Sequence, residues 1–177
     1  MRKIVLLFFV IGLHANLDAQ IDNTSLTTIE GITNKMLALI SGEIGEERNW
    51  DEFRNLFLPT AQLTALSETK SGKTRVSTMN IEEFVRNIGP VYARDGFEEY
   101  ALGLTVNEFN GIANVFQPYY CKNLIGTYEK RGVNTYQLVY TDDRWWIASA
   151  LFVDEFAETK LPDTLLFKKY QSGQEKK

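Results

Sequence analysis

Histidine is almost missing from this chain of 177 residues: there is one, His14. It falls inside an N-terminal stretch that reads as a secretory signal peptide. Arg2 and Lys3 precede an apolar run at positions 4–11, and small residues follow to Ala19-Gln20. Cleavage near Ala19 would leave a domain with no histidine at all. That excludes a Ser-His-Asp or Cys-His arrangement. With a single cysteine as well, Cys121, a zinc or copper site is excluded too, and neither metal nor cofactor is expected. One cysteine forms no internal disulfide, even on an oxidising export route, and Cys121 reads as a small buried hydrophobe.

Basic patches are lacking. The net charge is −4, and removing Arg2, Lys3 and Asp18 with the leader takes it to −5. A nucleic-acid partner is therefore not expected, since duplex affinity rests on basic side chains at phosphates. Long apolar runs are lacking as well. The leader's run is far short of the roughly 20 residues that cross a bilayer, so no membrane span is expected. The expected organisation is a signal peptide at 1–19, one domain at 20–160 and a C-terminal tail at 161–177. The mature protein is expected to be secreted or periplasmic.

What is present is patterned. Apolar residues from Leu26 to Ile40 recur at helical spacing, with Thr27 and Glu30 three apart as in a capping box. Trp50, Phe53, Leu56 and Phe57 share one face of a short second helix, with Asp51 and Glu52 in its first turn and Pro59 as its stop. Positions 61–79 read as a hairpin turning at Lys70-Ser71-Gly72-Lys73. Asn80 caps a third helix, which Gly89-Pro90 ends or kinks. Phe97 to Phe109 reads as one strand. Asn110-Gly111 is a two-residue hairpin signal, and Ile112 to Lys122 is the return strand. A last pair of strands flanks the tip Thr141-Asp142-Asp143-Arg144. Helices first and antiparallel strands after predict an α+β fold, with helices packed on one face of a curved sheet.

Three segments carry a family resemblance: positions 48–59, the hairpin at 110–115, and the strands at 131–138 and 144–147. Together they resemble the SnoaL-like, nuclear transport factor 2-like superfamily, and within it a group of secreted bacterial proteins of unassigned activity. The resemblance implies a cone-shaped α+β barrel, with N-terminal helices on a curved antiparallel sheet, and often a homodimer packed through that sheet. Relatives include ketosteroid isomerases, dehydratases, polyketide cyclases and pocket proteins without chemistry. The dehydratases' His-Asp pair has no histidine to match here. The isomerases' Asp base, Tyr and protonated Asp find no residue-by-residue counterpart either.

In such a cone Trp50, Phe53, Phe57, Tyr92, Tyr119, Tyr136 and Trp145 are candidate lining residues for a small apolar or ring-bearing ligand; plain core packing is the competing reading. Arg131, Asn134 and Gln137 are candidate polar contacts to that ligand, or anchors of the sheet. Glu99 and Glu155 are candidate inward carboxylates. A carboxyl held in an apolar cone could serve as general acid or base, whereas a solvated strand end or an ion pair would leave it structural. Alternation along the last strand puts Trp145, Ile147, Ser149, Leu151 and Val153 on one face. Trp146, Ala148, Ala150 and Phe152 fall on the other, an apolar patch expected to meet a second copy unless the tail covers it. The expectation is a secreted small-ligand-binding domain without catalysis. The alternatives are an isomerase or lyase using a buried carboxylate and tyrosines, and an interaction module with a filled pocket.

Overall fold

The computed structural model describes residues 24–69 and 71–172. The expected signal peptide and its cleavage site lie outside the described residues.

Helix α1 (Ile29–Ile40) follows a short 3-10 turn at Thr24–Thr27. Its cap is Thr28, one residue later than the expected Thr27, with the hydroxyl accepting from Gly31 N at 3.0 Å. Helix α2 (Trp50–Arg54) is capped by Asn49 and carries Asp51 and Glu52 in its first turn. Pro59 does not stop it: the helix ends at Arg54, and Pro59 lies inside strand β1 (Phe57–Glu68). The proline is tolerated there because the β1 ladder is irregular between Phe57 and Gln62. Strand β2 (Thr74–Asn80) completes the first hairpin. Helix α3 (Ile81–Asp95) opens with a full capping box between Asn80 and Glu83. It runs through Gly89-Pro90 to Asp95, so that pair does not end it. Gly89 instead lets the Trp50 ring approach, since a Cβ there would sit 3.2 Å from Trp50 Cζ2.

The expected strand from Phe97 to Phe109 is two: β3 (Glu98–Ala101) and β4 (Leu104–Phe109). The break falls at Gly103, where a Cβ would meet the Leu165 carbonyl oxygen at 2.5 Å. Strand β5 (Ile112–Lys122) follows the Asn110-Gly111 turn, both residues of which have positive φ, 46° and 81°. Strands β6 (Glu129–Thr141) and β7 (Arg144–Asp154) are joined by Asp142-Asp143, again at positive φ. The tail contributes β8 (Lys168–Ser172), which pairs in parallel with the edge of β4.

The sheet order is β2-β1-β7-β6-β5-β4-β8, with β3 also paired to β5. β1 and β7 run parallel and the remaining pairs, β4 and β8 apart, are antiparallel. The three helices close the concave side. Phe53 is fully buried there, stacked on Phe84 and tilted against Phe57. Burying one such ring contributes roughly 2–3 kcal/mol.

One irregularity reorients the last strand. Gln137 pairs with Ser149 and Leu138 with Ile147, so Ala148 is an extra residue. This bulge inverts the alternation. Trp145 and Ile147 point into the core before it, and Ala150 and Phe152 after it. The set Trp146, Ala148, Ala150 and Phe152 is therefore not one outward face. Ala150 is buried and Phe152 packs against the core, while Leu151 is exposed on the outer side.

Candidate functional site

The helices do not fill the cone. A cavity of about 390 Å³ opens between α1, α3 and the ends of β1, β3, β5, β6 and β7. Its walls are mostly apolar, including Met36, Ile40, Phe84, Phe97 and Phe152. Polar groups are few and cluster on the sheet side.

Glu99 is the first. Strand β3 brings it opposite Cys121 on β5, and Ser41 Oγ accepts from its backbone N–H at 2.9 Å. Asn134 Nδ2 donates to Glu99 Oε1 at 2.7 Å. Oε2 has no hydrogen-bond partner among the described residues. The carboxyl is surrounded by protein on most sides and reaches solvent through the cavity. Desolvation pushes its pKa up to about 7; the bond from Asn134 opposes that rise and the charge of Asp154 adds to it.

Asp154 is the second. It is the bulge at Ala148 that turns this residue inward. Tyr119 Oη donates to its Oδ1 and Tyr128 Oη to its Oδ2, each at 2.8 Å. Burial raises both phenol pKa values strongly, and the Asp154 charge adds to each. Tyr92 lines the helix side, stacked on Phe97 with ring centroids 4.2 Å apart. Its phenol pKa is likewise raised, chiefly by burial. The Cys121 thiol also lines the cavity, and burial lifts it to about 12.

Of the ligand and acid candidates predicted from sequence, Tyr92, Tyr119, Asn134 and Glu99 meet at this cavity, as does Phe152, expected instead on the outer face. The others do not. Trp50, Phe53 and Phe57 pack in the core beneath it. Tyr136 is buried behind it, donating to Gln117 Oε1 at 3.2 Å, and Gln117 in turn donates to Asn34. Trp145 sits at the other end of the sheet, beside a separate pocket that Thr28 and Leu104 also line. Gln137 is exposed and accepts from Ser149. Arg131 pairs with Glu155 at 2.7 Å, and Glu155 also accepts from Leu161 N. Glu155 is thus a structural clasp outside the cavity, and those bonds hold its pKa below the usual range against a desolvation that raises it. Asp154 and Tyr128 are the residues that sequence reasoning missed. Without the bulge, alternation assigns the inward place to Glu155.

No protein-family model and no curated protein matches the sequence. Solved structures match the fold. One is a provisionally named dehydratase of the nuclear transport factor 2-like family from Streptomyces avermitilis. It is 14% identical, with TM-score 0.56 over 76% of this chain and 99% of that one. Another, provisionally named a scytalone dehydratase, is from Novosphingobium aromaticivorans: 11% identical, TM-score 0.55, covering 76% and 87%. A third is a Nostoc punctiforme protein of unknown function with a cystatin-like fold: 9% identical, TM-score 0.53, covering 71% and 87%. The chain therefore has the nuclear transport factor 2-like cone fold that its sequence resemblance implied. No described helix is long and apolar enough to cross a membrane.

Proposed function

We propose that the cone is a pocket for a small, largely apolar or ring-bearing molecule, and that Glu99 acts on it as general acid and base. This makes the protein an isomerase or lyase working by proton transfer. One observation carries the reading: a carboxyl set in an apolar cavity, fixed through one oxygen by Asn134, with the other unpartnered among the described residues. A carboxyl poised near neutrality exchanges a proton with carbon acids most effectively. Asp154, tied by two tyrosines, has a positioning role and holds the cavity wall. The protein acts after export, once its leader is removed.

The test is exchange of α-carbon hydrogens of cyclic ketones in D2O, followed by NMR. The expected result is exchange above the buffer rate with the wild type and none with Glu99→Gln. Saturable binding of the ketones without exchange supports instead a passive binder, the reading favoured by the full engagement of Asp154.

The outer sheet face belongs in this proposal to a second copy of the chain. Phe116 and Leu151 stand in one row there, on either side of Thr135, and are 46% and 50% exposed. These two replace the set suggested by alternation.

A further inference from the structure

The cavity has a charge and hydrogen-bond character that its apolar walls conceal. Among the described residues that line it there is no lysine, arginine or histidine, while Asp95, Glu99 and Asp154 all line it. Asp95 is answered by Arg94, at 2.6 and 2.7 Å. Glu99 and Asp154 have no cationic partner among the described residues. The nearby buried guanidinium, Arg48, spends its donors on the backbone carbonyls of Ile40, Gly42, Glu43, Glu46 and Tyr92 and does not line the cavity.

Several donors have been consumed as well. Tyr119 and Tyr128 give their hydroxyl protons to Asp154, and Asn134 gives an N–H to Glu99. The acceptors include both Glu99 and Asp154; the donors left include the Tyr92 and Ser67 hydroxyls and the second Asn134 N–H. Aromatic rings of Tyr92, Phe97, Tyr119, Tyr128 and Phe152 line the same volume. Acceptors, unpaired negative charge and π-faces together disfavour an anion and favour a cation.

We infer that the cavity selects a small hydrophobic cation, an organic amine or quaternary ammonium compound carrying a ring or alkyl group. The inference rests on the reading of the cone as a ligand pocket, not on a proton-transfer role for Glu99, whose Oε2 the cation would occupy, and it names the class of molecule that enters. The ammonium group sits between Glu99 Oε2 and Asp154, and the apolar body lies toward α1 and α3. Binding draws a proton off Glu99, so affinity for the cation rises as pH goes from 6 to 8. Tyr92 and Asp95 from α3, Tyr119 and Cys121 from β5, Tyr128 and Asp154 are the other titratable groups around it. None carries a positive charge that could offset the effect.

The experiment is calorimetric titration at fixed pH and salt with three matched probes: 2-phenylethylammonium, 2-phenylethanol and 3-phenylpropanoate. The ammonium probe is expected to bind about tenfold tighter than the alcohol, with the propanoate weakest. Glu99→Gln should bring the ammonium probe close to the alcohol, with circular dichroism confirming that the variant is folded. The conservative Glu99→Asp should retain part of the preference. An alcohol that binds as well as the ammonium, or a preference unchanged in Glu99→Gln, overturns the inference and leaves the pocket reading standing. Absence of saturable binding by all three overturns both.

Discussion

Tyr119 reaches Asp154 by passing over Gly132. The three residues lie in one row across β5, β6 and β7, and the phenol donates to the carboxylate at 2.8 Å. A Cβ on Gly132 would sit 2.5 Å from the Tyr119 hydroxyl and 2.2 Å from the Val153 carbonyl oxygen. Gly132→Ala should therefore cost about 2 kcal/mol or more through overpacking. Urea unfolding should register this as a lower midpoint. An unchanged midpoint would mean the row is looser than described.

Glu99 sets a pH dependence of stability opposite to that of most carboxylates. Its folded pKa, about 7, exceeds the ordinary 4.5, so the folded state holds a proton that the unfolded chain has released. The stabilisation is complete below the unfolded pKa and is lost as pH rises through the folded one. A shift of this size corresponds to roughly 3 kcal/mol. Stability should fall between about pH 4.5 and 7, and Glu99→Gln should flatten that fall. Glu155, held low against desolvation by the Leu161 N–H and Arg131, and Asp95, held low by Arg94, lose their contribution only at more acid pH. Thermal melts from pH 5 to 8 on both proteins make the comparison. Parallel curves would count against a desolvated Glu99.

Cys121 should be inert in the folded protein. It is 2% exposed, and its thiol is pushed up to about 12, so little thiolate is present at neutral pH. Ellman's reagent at pH 8 should label it only after denaturant is added. Rapid labelling of the native protein would place the thiol in an open environment.

On the outer face, Leu151→Glu and Phe116→Glu should each leave the fold intact and shift the molecular mass in light scattering from dimer to monomer. Charges at the centre of an apolar contact are disfavoured. A wild type that is monomeric at tens of micromolar would remove the proposed partner from this face.

Much of the architecture was legible because local chemistry dictated it. Asn110-Gly111 fixed the β4–β5 turn, and β5 occupies Ile112–Lys122, the return strand expected after it. Asn80 announced the start of α3. The misreadings share a cause, which is that they depended on tertiary neighbours. Gly103 splits a strand because Leu165 approaches it. Pro59 enters a strand because its ladder is irregular there. Ala148 bulges because Gln137 and Leu138 pair around it. That last shift hid Asp154 and nominated Glu155. Glu99 was named from sequence only as a candidate inward carboxylate; its place at the cavity comes from the pairing of β3 with β5 and the bond from Asn134. The aromatic set was read too broadly, since the spacing of Phe53, Phe57 and Tyr136 is the same for a core residue as for a lining one.

The most direct test of the central claim is a crystal structure of the exported chain purified without stripping bound molecules. The account predicts an open cavity with an organic molecule against Glu99, its polar end near Oε2 and its apolar body toward Phe84 and Met36. A cone closed by Tyr92 and Phe152, with Glu99 turned out to solvent, would contradict it.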